Sequence, residues 1–132
     1  MSWVTDVLLT VNLEERFDDD YNALESCEAL DTINAWLEKH EQGKLDELSI
    51  HVQSGGKAMQ THVYGGAFNF MKIDDFVTLV LSQTWKRPES VMLLTKDEEQ
   101  DAFTVHQIKK PVANPKSSFE RSAPGRLSTT GA

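Results

Sequence analysis

The stretch from Leu45 to Phe70, LDELSIHVQSGGKAMQTHVYGGAFNF, carries two glycine pairs, Gly55-Gly56 and Gly65-Gly66, set among strand-like runs. Glycines at such spacing either cradle a phosphate or turn and bend a sheet. A phosphate loop leads from a strand into a helix N-terminus, and its Walker form places Ser or Thr after the lysine. Here Lys57 is followed by Ala58 and another strand-like run, and the second pair has no basic residue before Lys72. The architectural reading is therefore the stronger one. A two-residue Gly55-Gly56 loop, whose members readily take positive φ, pairs Gln53 with Ala58, Val52 with Met59, His51 with Gln60 and Ile50 with Thr61. That register sorts Leu48, Ile50, Val52, Met59, Thr61 and Val63 onto one face and Ser49, His51, Gln53, Ala58, Gln60, His62 and Tyr64 onto the other. A slip of one residue would mix the two sets. The second pair interrupts the alternation inside a strand, which marks a bulge or a close backbone approach.

Outward from the hairpin the elements fall into place. Trp3 to Leu13 alternates with period two and is apolar on both faces, the pattern of an inner strand. Leu24, Cys27, Leu30, Ile33 and Leu37 recur at helical spacing, with Gly43 as a stop signal. Ile73, Phe76, Val77, Val80 and Leu81 outline a second helix with Asp74 and Asp75 in its first turn, where the helix dipole favours carboxylates. Val91 to Thr95 and Ala102 to Ile108 read as two further strands. The resulting order, β-α-β-β-α-β-β, predicts an α+β fold, a ferredoxin-like two-layer sandwich with two helices on one face of an antiparallel sheet. Residues 1–110 form a single domain on this reading, and the Pro-, Ser-, Thr- and Gly-rich residues 111–132 a flexible C-terminal tail.

The 132 residues are 39% hydrophobic and 26% charged, ordinary for a globular chain. Net charge is −8. Residues 111–132 contribute three cations against Glu120, a balance of +2, which leaves −10 on residues 1–110. Such a body repels nucleic acid and anionic membrane and attracts a basic protein. Cys27 is the lone cysteine, so no internal disulfide forms, and the N-terminus has neither a basic n-region nor an unbroken apolar span. The expectation is a cytoplasmic protein.

Three groups of residues bear on chemistry. His51 and His62 are diagonal neighbours on the polar face of the hairpin, with Gln60 and Ser49 opposite them and Tyr64 beyond. If that face is the one without helices, Asp6, Thr10, Asn12 and His106 join it. This collection suits a small polar ligand, a metal or a partner protein, although two histidines without a third ligand are few for zinc. The acidic run EERFDDD, containing Asp18, Asp19 and Asp20, lacks the glycine and ligand alternation of an EF-hand loop and reads as a solvated loop able to attract a basic protein. Cys27 sits at an apolar helix position, and no nucleophile elbow, zinc-protease motif or cofactor fingerprint is present. Trp3, Trp36 and Trp85 accompany core-facing positions and are assigned to packing or an interface before any ligand.

The leading functional expectation is a small acidic, non-enzymatic binding module, an inhibitor or immunity-type protein that neutralises a basic partner without a cofactor. The alternatives are a small-ligand or metal-dependent enzyme on the open sheet face, using His51, His62 and Tyr64, and a homodimer or larger assembly formed through that face or the edge strand.

Overall fold

A computed structural model describes residues 3–49, 53–54 and 57–108, with 53–54 and 57–58 described by backbone alone. His51, the Gly55-Gly56 turn and the expected tail at 111–132 lie outside the described residues. The chain runs β1 (Val4–Asn12), α1 (Glu28–Lys39), β2 (Asp46–Glu47), β3 (Gln53–Ser54), β4 (Lys57–Ala58), β5 (Thr61–Asn69), α2 (Ile73–Leu81), β6 (Met92–Asp97) and β7 (Thr104–Gln107). Single 3-10 turns at Leu13–Glu15 and Pro88–Ser90 follow β1 and precede β6.

The fold is α+β. Five strands form one antiparallel sheet in the order β2-β5-β1-β6-β7, and β3 and β4 make a separate two-stranded ribbon. This order differs from that of a simple ferredoxin-like sandwich. Among the described residues of Leu45–Gln53, Asp46 and Glu47 pair with β5 on the main sheet, opposite Gly65 and Tyr64, whereas Gln53 belongs to the ribbon. β5 instead pairs along all nine of its residues with β1, where apolar side chains stack on both strands. The hairpin register nevertheless holds wherever pairing occurs, with Gln53 opposite Ala58 and Ser54 opposite Lys57.

The core lies on one face of this sheet. In β1 the odd positions Thr5, Val7, Leu9 and Val11 are buried, and the register aligns them with Phe68, Gly66, Tyr64 and His62 of β5 and with Thr95 and Leu93 of β6. Ala29, Leu30, Ile33 and Leu37 of α1 and Phe76 and Val80 of α2 join the same cluster. Burying these side chains removes apolar surface from water at about 25 cal/mol per Å², the main stabilising term. Helix α1 starts at Glu28, so Leu24 falls before it and Cys27 is its N-cap. Past its end the chain reverses through Glu41 and Gly43, both at positive φ. Trp85 is buried and donates from Nε1 to the Val80 carbonyl at 2.9 Å, capping α2 with a core aromatic, and Trp36 packs against Phe76.

No bulge forms at Gly65-Gly66: both residues hold the β1 register, opposite Leu8 and Val7. The pair serves close approach instead. A Cβ on Gly66 would lie 2.6 Å from Phe68 Cζ on the core side, and one on Gly65 would lie 2.9 Å from Leu48 Cδ1 and 3.1 Å from Leu8 Cδ2 on the other. Among the described residues no helix is long and apolar enough to cross a membrane.

Candidate functional site

The residues expected on one open face divide between the two sides of the sheet. Tyr64 and His62 face the helices, because they align with Leu9 and Val11 of β1. Tyr64 is buried, Ser49 is buried, and the His62 side chain is 12% exposed. His106 also lies on this inner side, its Nε2 3.0 Å from Thr95 Oγ1. Asp6, Thr10 and Asn12 stay on the outer face, while Leu48 and Met59, which the hydrophobic pattern placed inward, are 38% and 39% exposed. The physical reason is that the polar set satisfies itself internally. His62 Nδ1 lies 2.8 Å from Glu47 Oε2, and since a carboxylate only accepts, the ring N–H donates to it. The Ser49 hydroxyl donates to the same Glu47 oxygen at 3.1 Å and accepts from the Val63 amide at 3.3 Å. Buried polar groups are tolerated when they find such partners.

Two atoms of the cluster are exceptions. Among the described residues His62 Nε2 and the Tyr64 hydroxyl have no hydrogen-bond partner, though both are buried. Burial is the main cause that pushes the Tyr64 phenol up to about 12, with the Glu47 carboxylate adding to it and the Arg16 cation opposing it. Arg16 thus stands beside the phenol, where its charge favours the phenolate. The Phe17 ring covers the cluster, its centroid 5.6 Å from that of His62.

Phe17 belongs to the acidic connector, which is an ordered loop. Phe17 bridges to Ala23, Leu24 N donates to the Arg16 carbonyl, and Asp18 N donates to the Asn22 carbonyl. Asp18 Oδ1 accepts from the amides of Asp20 and Asn22, both at 2.9 Å. The Asn22 amide is the leading cause that holds the Asp18 carboxyl below its ordinary value. These bonds close the turn around Tyr21, whose φ is 63° and whose side chain is 75% exposed. The five carboxylates of the run do not behave alike. Glu15 is buried and accepts from the Arg87 amide at 2.9 Å, so it is a structural residue and no part of a solvated loop. Glu14 faces the Arg87 guanidinium at 3.5 Å, whereas Asp18, Asp19 and Asp20 are exposed. A cleft of about 350 Å³ brings Asp18, Asp19 and Gln60 together with Phe17, Tyr21 and Thr61.

Of the expected site residues, then, Ser49, His62 and Tyr64 meet in the buried cluster, Gln60, Asp18 and Asp19 meet at the cleft, and Asp20 stands on the loop beside it. Sequence reasoning missed Glu47, Arg16, Phe17 and Tyr21. Glu47 was within reach, since it precedes Ser49 by one period of the strand alternation. Among the described residues no three His, Cys, Asp or Glu side chains stand together in a way that would hold a metal ion. No protein-family model, curated protein or solved structure matches the chain.

Proposed function

We propose that the protein is an acidic, non-enzymatic binding module that takes up a basic protein partner and neutralises it, as an inhibitor or immunity-type protein does. The observation that carries this reading is Tyr21, an aromatic ring held out in solvent by a hydrogen-bonded loop and flanked by Asp18, Asp19 and Asp20. Tyrosine is a frequent anchor of protein interfaces, because its large rigid ring orders few torsions on binding. Carboxylates around it speed encounter with a positive surface and disfavour acidic competitors. The −8 charge of the chain acts in the same direction at long range.

A ferredoxin-like core is part of the proposal. The order β2-β5-β1-β6, with α1 after β1 and α2 after β5, supports it, β7 being an added edge strand and β3-β4 an inserted ribbon. A cytoplasmic setting is proposed as well, supported by the single cysteine being buried in the core, where it forms no internal disulfide.

The test is capture of partners from the native host at low and at high salt, with a Tyr21→Ala variant and a triple Asp18→Asn, Asp19→Asn, Asp20→Asn variant alongside. The expected result is a basic protein that elutes with salt and is lost with either variant. A partner retained equally by both variants, or binding indifferent to salt, refutes the placement of the interface; no reproducible partner refutes the function.

A further inference from the structure

Besides the exposed loop, the molecule holds a second polar assembly, on the inner side of β5, that the proposed function does not use. His62 and Tyr64 are two residues apart on one strand and face the same side, so their Cα atoms are about 7 Å apart. Both carry a buried polar atom without a partner among the described residues. A buried donor or acceptor left in that condition is costly, so two of them on one strand face call for a partner that satisfies both.

The chemistry of the pair is specific. Glu47 fixes the imidazole by accepting from Nδ1–H, which aims Nε2 as the working atom. Nε2 accepts a hydrogen bond when the ring is neutral and donates one when it is charged. A hydroxyl group satisfies it in either state, since it both donates and accepts. The Tyr64 phenol keeps its proton at any ordinary pH, so it has a hydrogen to donate as well as an oxygen that accepts. Arg16 adds a cation next to that phenol. An acceptor-or-donor atom, a neutral donor and a guanidinium together suit a hydroxyl beside a carboxylate: the hydroxyl on His62 Nε2, the carboxylate on Tyr64 and Arg16.

Access is provided by Phe17. Its ring lines the solvent cleft and also lies against His62, so it is the partition between the two. We propose that His62, Tyr64 and Arg16 form a binding site for a small hydroxy acid, with Glu47 as the positioning residue, entered from the cleft when the Phe17 side chain turns aside. The site is independent of partner binding by the Tyr21 loop and stands or falls separately.

The test uses the full chain and glycolate as the probe, with the imidazole 15N signals of His62 followed by NMR. Acetate, which lacks the hydroxyl, and ethylene glycol, which lacks the charge, are the controls. The expected result is a saturable shift of Nε2 with glycolate, at least about tenfold weaker with either control and weakened by about tenfold or more in Tyr64→Phe and Arg16→Gln. Tyr64→Phe removes one unpartnered oxygen and keeps the ring, so it stays folded, and a thermal melt verifies this. Phe17→Ala speeds exchange between the free and bound signals. No saturable shift at millimolar glycolate means that water alone meets these atoms and overturns the proposal. So does a shift that survives both Tyr64→Phe and Arg16→Gln, or one that acetate reproduces in full. Unchanged exchange in Phe17→Ala overturns the entry route.

Discussion

Replacing Tyr64 by phenylalanine should make the protein more stable. The phenol oxygen is buried with no hydrogen-bond partner among the described residues, and such a group carries a desolvation cost of about 1–3 kcal/mol. Tyr64→Phe deletes that oxygen, leaves the ring among the core residues it already touches and opens no cavity larger than the hydroxyl. The favourable proximity of Arg16 is lost with it, which offsets part of the gain. A net stabilisation of about 1 kcal/mol is expected, equivalent to a rise in Tm of about 4 °C or more for a chain of this size. The alkaline limb provides an independent signature. The phenol is raised from 10.0 to about 12 in the folded protein, so folding favours its protonated form. That contribution is fully present below pH 10, the unfolded value, and is lost as pH rises through about 12. The native protein should therefore lose stability across this window more steeply than the variant. Urea unfolding of both proteins at neutral pH and at steps up to this window measures the two effects, with an unchanged m-value showing that the same surface unfolds. A lower midpoint for Tyr64→Phe at neutral pH, or alkaline limbs of equal slope, would refute the reasoning.

Other perturbations test the remaining elements. Gly66→Ala would set a Cβ 2.6 Å from Phe68 Cζ and force a core ring to move, and Gly65→Ala would press on Leu48 Cδ1 at 2.9 Å and on the Val7 backbone carbonyl at 3.1 Å, so each should cost about 1–3 kcal/mol; an unchanged denaturation midpoint for either would count against this. Glu15→Ala removes the buried acceptor of the Arg87 amide and should destabilise by about 1–3 kcal/mol, with amide exchange at Arg87 accelerated; an unaltered midpoint would mean that the amide finds another acceptor. The Asp18 carboxyl is held below 3.8 mainly by the Asn22 amide, so its contribution is present above that value and lost as pH falls through the lower folded one. Protection of the Asp20 and Asn22 amides should fade in that acidic range, and Asp18→Ala should remove it already at neutral pH.

Much of the fold was legible because period and parity are local properties. The alternation of Trp3 to Leu13 announced β1, and the apolar spacings of Leu30, Ile33, Leu37 and of Phe76, Val80 announced the buried stripes of the two helices. A two-residue loop read from the sequence predicts a hairpin parity that the described pairs keep, Gln53 opposite Ala58 and, further out, Glu47 opposite Tyr64. Which side of the hairpin faces the helices is not a local property. Hydrophobicity ranked Leu48 and Met59 above Ser49, His62 and Tyr64, and the ranking pointed the wrong way. What decided the matter was a network, Glu47 with His62 and Ser49, that lets polar side chains enter the core, and the pairing of β5 with β1, a contact between residues 49 to 65 positions apart. The acidic run misled for a similar reason: Glu15 became structural only because Arg87, distant in sequence, offers it an amide. Asp18, Asp19 and Gln60 were chosen on separate grounds and share a cleft because the loop after β1 folds beside the start of β5.

The glycine pair in β5 has one more consequence. At that row the sheet has no side chain on β5 to thicken it, and Leu8 and Leu48 close over the bare backbone from one side while the Phe68 ring closes over it from the other. The two surfaces of the molecule are separated there by little more than a single layer of peptide planes. A side chain introduced at either glycine would have to push Leu48 and Leu8 outward or the Phe68 ring aside.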